Sequence, residues 1–216
     1  SRVSRGLGDV YKRQSLGRSW DSPIVRFGLI MVVLCQVGTR GVQSMMMPYL
    51  FDKGLQLTDL GVLAAGGGAI TGLIGVLVSG VLMKRLPARS MLLICLGFEA
   101  LIFSGFFLDT INLITGTLGL QGLYVLSSVV AAAKFVALYT LMMEWAYGKQ
   151  AGVDFTLFQS TDMAVAILMA LVSGSVIATL GYSAHYGIAI IATVISFGVG
   201  LLRTPVPRSS LKPEPT

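Results

Sequence analysis

The sequence predicts an all-α integral membrane protein with six transmembrane helices, and three observations predict it. The 216 residues are 54% hydrophobic and only 12% charged, where a soluble domain carries roughly 25% charge. Mean hydropathy is +0.79. The apolar residues also come in long blocks: neither 61–83 nor 182–202 contains an Asp, Glu, Lys or Arg. Such blocks cross a hydrocarbon core of roughly 30 Å at about 1.5 Å rise per residue.

The spans read 24–47, 60–83, 90–108, 120–143, 155–180 and 182–203. Pro48 closes the first, and Pro87 lies in the loop after the second. Asp109 to Asn112 interrupts before the fourth, and 147–154 separates the fourth from the fifth. Gly181 marks a tight turn, and Pro205 and Pro207 end the sixth. The tail, 204–216, is Pro-rich and expected to be a disordered cytoplasmic segment.

Orientation follows from where Lys and Arg fall. Arg18, Arg26, Lys84, Arg85, Arg89, Lys149, Arg203, Arg208 and Lys212 fall on one side, and only Lys53 on the other. Both ends of the six-helix unit are therefore expected in the cytoplasm. The formal charge of +6 is a topology signal, and no nucleic-acid partner is expected. Cys35 and Cys95 lie inside apolar spans and read as small packing residues, with no metal site or disulfide. His185, read as lying in a short loop, is the single histidine. One histidine argues against a membrane-embedded metalloenzyme, so no catalytic residue, metal or cofactor is expected.

Three segments carry a family resemblance. MMMPYLFDKGLQLTDLG (45–61) ends a helix at a Pro and leads through a short amphipathic turn into the next span. GVLMKRLPARS (80–90) is a Gly followed by a basic loop. Together they resemble the major facilitator superfamily at the start of its second six-helix half, whose loop pattern is Gly-x-Leu-x-Asp-Arg-x-Gly-Arg-Arg. Gly80, Leu82, Arg85 and Arg89 match that pattern, while Lys84 replaces the Asp and Pro87 and Ala88 replace a Gly and an Arg. GKQAGVDFTLFQSTD (148–162) is similar to the Ala-Gly-Thr-Asp-Phe-Thr-Leu segment of the siderophore-uptake and muropeptide-permease branches.

The resemblance implies helices seven to twelve of a twelve-helix carrier working by alternating access, with 15–23 the remnant of a central cytoplasmic loop. It implies a lipid bilayer, a missing N-terminal six-helix half and a small-molecule solute as partners, with protons as the coupling ion. It places Gly80, Arg85 and Arg89 in a conformational loop. Ferric siderophore uptake is the leading activity, muropeptide transport the alternative, and the bacterial inner membrane the location.

Charges inside spans are costly and usually paired or functional. Arg40 shares a helix face with Gln36, Gln43 and Ser44, a polar stripe suited to a water-filled cavity. The resemblance makes this a cavity-lining helix. Lys134 sits mid-helix with Tyr124, Ser127 and Ala131 on its face. It reads as a solute-carboxylate ligand, or as an ion-pair partner of Asp162 or Glu99. Asp162, with Gln159 and Ser173 on its face, reads as a proton-coupling carboxylate or as a partner of Lys134. Glu99 has the apolar neighbours Cys95 and Phe103 and reads as a structural pair or a neutral acid, and Glu144 as interfacial. Gly66 to Gly68 with Gly72 and Gly75 form a small-residue packing surface. Met45 to Met47 read as adaptable packing. Polar stripes on separate helices argue against an inert scaffold.

The opening stretch SRGLGDVYKRQ (4–14) has no apolar core that a secretory signal requires. It resembles the translation of a transposon-end adapter used in sequencing libraries, so 1–14 is expected to carry no biochemical function. Without Arg2, Arg5, Lys12, Arg13 and Asp9 the formal charge falls from +6 to +3.

Overall fold

The computed structural model describes residues 16–113, 116–146 and 150–202. The segment 1–14, Lys149, Arg203, the tail 204–216 with Arg208 and Lys212, and the side chain of Arg18 lie outside the described residues. A short α1 (Leu16–Asp21) precedes α2 (Pro23–Asp52), α3 (Leu57–Leu82), α4 (Ala88–Thr110), α5 (Thr117–Trp145) and α6 (Ala151–Leu202). No strand occurs among the described residues.

Pro23 opens α2 where its missing N–H and fixed φ suit a first turn. The sequence ends this helix at Pro48, but the structure carries it on to Asp52. Pro48 removes one ladder bond, while Tyr49 and Leu50, 1% and 0% exposed, anchor the following turn in the core. Tertiary packing outweighs the local breaker. The helix stops in a Schellman motif, with Leu55 N–H on the Leu50 carbonyl (3.2 Å) and Gly54 N–H on the Phe51 carbonyl (2.9 Å). Gly54 takes the left-handed conformation this requires, at φ +92°. Asn112 does the same beyond α4, at φ +56°, with Leu113 N–H on the Leu108 carbonyl (3.0 Å). The helix-breaking signal at 109–112 thus resolves into a specific C-terminal motif.

Two predicted spans merge into α6, a 52-residue run interrupted at Gly181 (φ 79°, ψ 174°). Its arms, 151–180 and 182–202, pass α2 in opposite directions. On the first arm Phe158 meets Gly28 and Ser173 meets Gly41. On the second, Thr193 meets Gly38, Gly200 meets Met31, and the Ser196 hydroxyl donates to the Leu34 carbonyl at 2.6 Å. With the break at Gly181, the described residues hold six apolar helical segments of membrane-spanning length, as the sequence predicts. His185, expected in a loop, belongs to the second arm and is 4% exposed. The reversal takes a single glycine, leaving no loop for it to occupy.

Polarity is inverted relative to a water-soluble bundle. Ile70, Leu73, Leu77 and Val81 of α3 and Ile167, Leu168 and Leu171 of α6 are exposed, while Gln36, Glu99, Lys134 and Asp162 are buried. Those outer faces suit hydrocarbon and would aggregate in water. At one end lie Ser19, Gln150, Arg89 and Gly200; at the other lie Asp52, Lys53, Asp109 and Tyr182.

The packing role expected of the glycines on α3 holds at one of them. A Cβ at Gly75 would sit 2.4 Å from the Val129 carbonyl oxygen and 2.8 Å from Ala132 Cβ, so α3 and α5 touch backbone to backbone there. The Ser79 hydroxyl, one turn on, donates to the Ala133 carbonyl at 3.1 Å. Gly66, Gly68 and Gly72 meet nothing within 4 Å, and the first of them belongs to a wider π turn at Leu63–Gly67. Gly75→Ala is expected to cost about 1–3 kcal/mol, because the obstructing atom is backbone and cannot rotate away. Gly72→Ala is expected to hold stability or raise it by up to about 1 kcal/mol. Thermal unfolding of the two purified variants in detergent compares them directly.

Candidate functional site

Between α2, α3 and α5 an open cleft of about 400 Å³ is lined by Gln36, Thr39, Arg40, Gln43, Ser128 and Lys134 among others, with Gly68 and Gly72 forming part of the opposite wall. A smaller hollow of about 210 Å³ adjoins it, sharing Gln43 and Ser128 and adding Met46, Met47, Tyr124 and Ser127. The combined space falls within the roughly 300–1,000 Å³ of small-molecule sites. Its floor is the middle of α2. Residues at three-and-four spacing share one side of that helix, which brings Gln36, Arg40 and Gln43 to the cleft together. Ser44, expected in the same stripe, turns back to donate to the Gly41 carbonyl at 2.7 Å.

Two ion pairs hang from this stretch of α2. Arg40 meets Asp162 of α6 in a forked contact, with Nη2 2.9 Å from Oδ2 and 3.0 Å from Oδ1, and Nε 3.3 Å from Oδ1. Gln36 Nε2 donates to the same Oδ1 at 2.7 Å. The carboxylate is closed in, its side chain 5% exposed, whereas the Arg40 side chain is 28% exposed. One face of the guanidinium thus stays open to the cleft. The sequence offers Lys134 as the cation of Asp162; the structure pairs it with Arg40 instead.

Lys134 points to the other flank and pairs with Glu99 of α4, Nζ lying 2.9 and 2.8 Å from the two carboxylate oxygens. It also donates to the Cys35 carbonyl at 3.0 Å and to the Thr39 hydroxyl, which donates in turn to Glu99 Oε1 at 2.8 Å. The two side chains are 2% and 1% exposed. All three ammonium protons are spoken for. Lys134 therefore borders the cleft while its charge is consumed behind the wall. A buried pair of this kind stands or falls as a unit.

The remaining predicted residues scatter. Gln159 lies apart from the cleft and accepts a hydrogen bond from Tyr139. Gly80, in the last turn of α3, and Arg85, in the α3–α4 loop, are both exposed. Arg89 starts α4 and donates to the carbonyls of Gly200 (3.2 Å) and Leu201 (2.7 Å), so it caps the C-terminal end of α6. Glu144 is exposed at the end of α5.

Glu99, expected as a structural pair or a neutral acid, is the anion of the Lys134 pair and is 1% exposed. Sequence reasoning missed three residues. Thr39 and Ser128 line the cleft. Asp109, taken for part of a loop, is 3% exposed at the end of α4, where Lys53 (2.8 Å) and the Tyr49 hydroxyl converge on it. The signal for Thr39 was available, since it directly precedes Arg40 in the polar stripe.

Lys134→Met is expected to destabilise the chain by about 3–5 kcal/mol, because it strands Glu99 without a cation. Adding Glu99→Leu is expected to restore most of that loss. Denaturation of the two singles and the double gives the coupling energy; equal and additive losses would show that the charges do not act as a pair.

A family model, the Major Facilitator Superfamily, matches residues 29–216. That span takes in the whole cleft and both ion pairs. Six apolar crossings, outer faces suited to lipid and a polar interior are what such a protein requires. The chain belongs to the Major Facilitator Superfamily, whose members are secondary transporters of small solutes.

Proposed function

We propose that this chain is the C-terminal six-helix half of a twelve-helix carrier in the bacterial inner membrane, and that Arg40 receives the anionic group of a polar solute. The observation that carries the reading is the asymmetry of the Arg40–Asp162 pair. Asp162 is sealed, while Arg40 is 28% exposed and faces a cleft that also presents Gln36, Gln43 and Ser128. A solute carboxylate or phosphate entering the cleft competes with Asp162 for the same guanidinium, whose flat fork suits either. If the solute wins, Asp162 loses its cation in a nearly dry position, where an unpaired charge is costly. Proton uptake relieves that cost. Anion binding and proton binding are thereby coupled through one side chain.

Lys134, sealed against Glu99, serves in this reading to hold the cleft wall. Tyr124, Ser127 and Gln43 extend the polar surface along the adjoining hollow. The cleft is open on one side, and a second six-helix half would supply the facing wall, as in carriers whose halves rock about a central site. The basic residues Arg26, Lys84, Arg85 and Arg89 support a cytoplasmic location for both ends of the unit. The 148–162 segment supports ferric siderophore uptake as the activity, with muropeptide transport as the second reading.

The test is uptake by cells producing the full-length carrier, offered radioiron-loaded siderophores and labelled muropeptides in parallel. Arg40→Ala is expected to cut uptake of the true solute by about 10- to 100-fold at unchanged expression, the loss of a charge-assisted contact. Asp162→Asn is expected to retain solute binding and to lose the dependence on a proton gradient. Undiminished uptake with Arg40→Ala would sink the site. A genomic reading frame that continues upstream through six more spans is the outcome expected for the half-carrier; a start codon there is the outcome that refutes it.

A further inference from the structure

On the side of α2 turned away from the cleft, glycines draw both arms of α6 close. A Cβ at Gly38 would lie 2.8 Å from Thr193 Oγ1, and one at Gly41 3.2 Å from both Ser173 Oγ and Met169 Cε. The fit is incomplete. A cavity of about 110 Å³ remains between the three segments, walled mostly by Val37, Val172, Val176, Ile188 and Ala189. Two polar side chains, one from each arm, reach it: Ser173, 0% exposed, and His185, 4% exposed.

Neither Ser173 Oγ nor His185 Nε2 has a hydrogen-bond partner within the protein. Buried polar atoms of that kind are rare, and ordered water is their usual partner. The groups around the imidazole decide its form. The Gly41 backbone faces it from α2, the Tyr186 ring lies beside it with centroids 5.6 Å apart, and Ser173 and Met169 approach from the first arm. The interior carboxylates Glu99 and Asp162 are committed to Lys134 and Arg40. No counterion among the described residues faces the ring, and its Nε2 is left without a protein partner beside the equally unpartnered Ser173 hydroxyl.

The geometry points to an internal water-binding site between the two arms of α6 and α2, in which bound water donates to His185 Nε2 and accepts from the Ser173 hydroxyl. A water occupies about 30 Å³ of liquid, so the space suffices. The site joins three segments that meet elsewhere through small residues, and it adjoins Arg40 along the chain without opening to the cleft. A hydrated seam lets hydrogen bonds re-form when packed helices shift, where a dry one must break contacts outright.

His185 is the only histidine in the 216 residues, so isotope-labelled histidine gives one imidazole signal set. The experiment is solid-state NMR of the labelled chain in lipid bilayers. The expected result is an Nδ1-protonated ring, an Nε2 shift of a hydrogen-bonded acceptor, and magnetisation transfer from water to the ring. Ser173→Val, which fills the space and removes the hydroxyl, is expected to drop that transfer to background and to move Nε2 to the free-acceptor position. A wild-type ring with no water transfer, or one protonated at Nε2, overturns the site. Unchanged transfer in Ser173→Val overturns it as well. Should that variant fail to fold, the wild-type spectrum alone decides.

Discussion

Charge buried without water is the constraint on which this structure depends. Within the bundle an ammonium and a carboxylate can be sheltered only by each other and by hydrogen-bonding groups placed around them. The Lys134–Glu99 pair meets that condition through α2. The Cys35 carbonyl takes one ammonium proton and the Thr39 hydroxyl bridges cation and anion. One turn of α2 thus fixes α4 and α5 relative to itself. The same stretch, through Gln36 and Arg40, fixes the first arm of α6 at Asp162. A polar hub of six residues orients four helices whose outer surfaces are almost uniformly aliphatic.

Such orientation is needed because apolar packing does little to fix the rotation of a helix that is hydrophobic on every side. Between membrane helices, association rests on close fit and polar contacts and not on exclusion of water. The glycines of α2 supply the fit: Gly28 against Phe158 and Trp145, Gly38 against Thr193, Gly41 against Ser173. Gly38 and Gly41 lie on the flank turned away from the cleft, so α2 is packed closely against α6 there and held by polar contacts on its other side. Gly75 plays the matching part for α3, whose contact with α5 leaves Gly68 and Gly72 facing the open space.

The same physics explains what was legible in the sequence. Span number and rough limits depend on apolar block length, which one sequence displays directly. The polar stripe at Gln36, Arg40 and Gln43 was legible because residues on one helix share a face by spacing alone. The partner of Asp162 was not, and that of Lys134 was legible only as one of two alternatives, since pairing depends on how four separate helices are rotated and at what depth each sits. Apolar flanks around Glu99 left a structural pair and a neutral acid both open; the structure pairs it with Lys134. Pro48 misled, whereas Gly181 marks the turn it was expected to mark, tighter than a loop. Burial of Tyr49 and Leu50 carried a helix past the proline, while a positive φ at the glycine reversed the chain in one step and drew His185 out of a loop into the core.

The two ion pairs, alike in chemistry, differ in what surrounds them, and that difference separates their roles. Lys134 and Glu99 are 2% and 1% exposed, with every ammonium proton engaged, so a solute has no vacant donor to address. Breaking the pair would strand two charges before any new contact formed. Arg40 keeps one edge of its guanidinium toward the cleft while its other edge holds Asp162. In the proposed function, an incoming anion meets this exposed edge before the contact with Asp162 is given up. Exposure of one partner and burial of the other is the arrangement that makes a salt bridge exchangeable, and within this bundle it falls on the turn of α2 that also anchors the rest of the polar core.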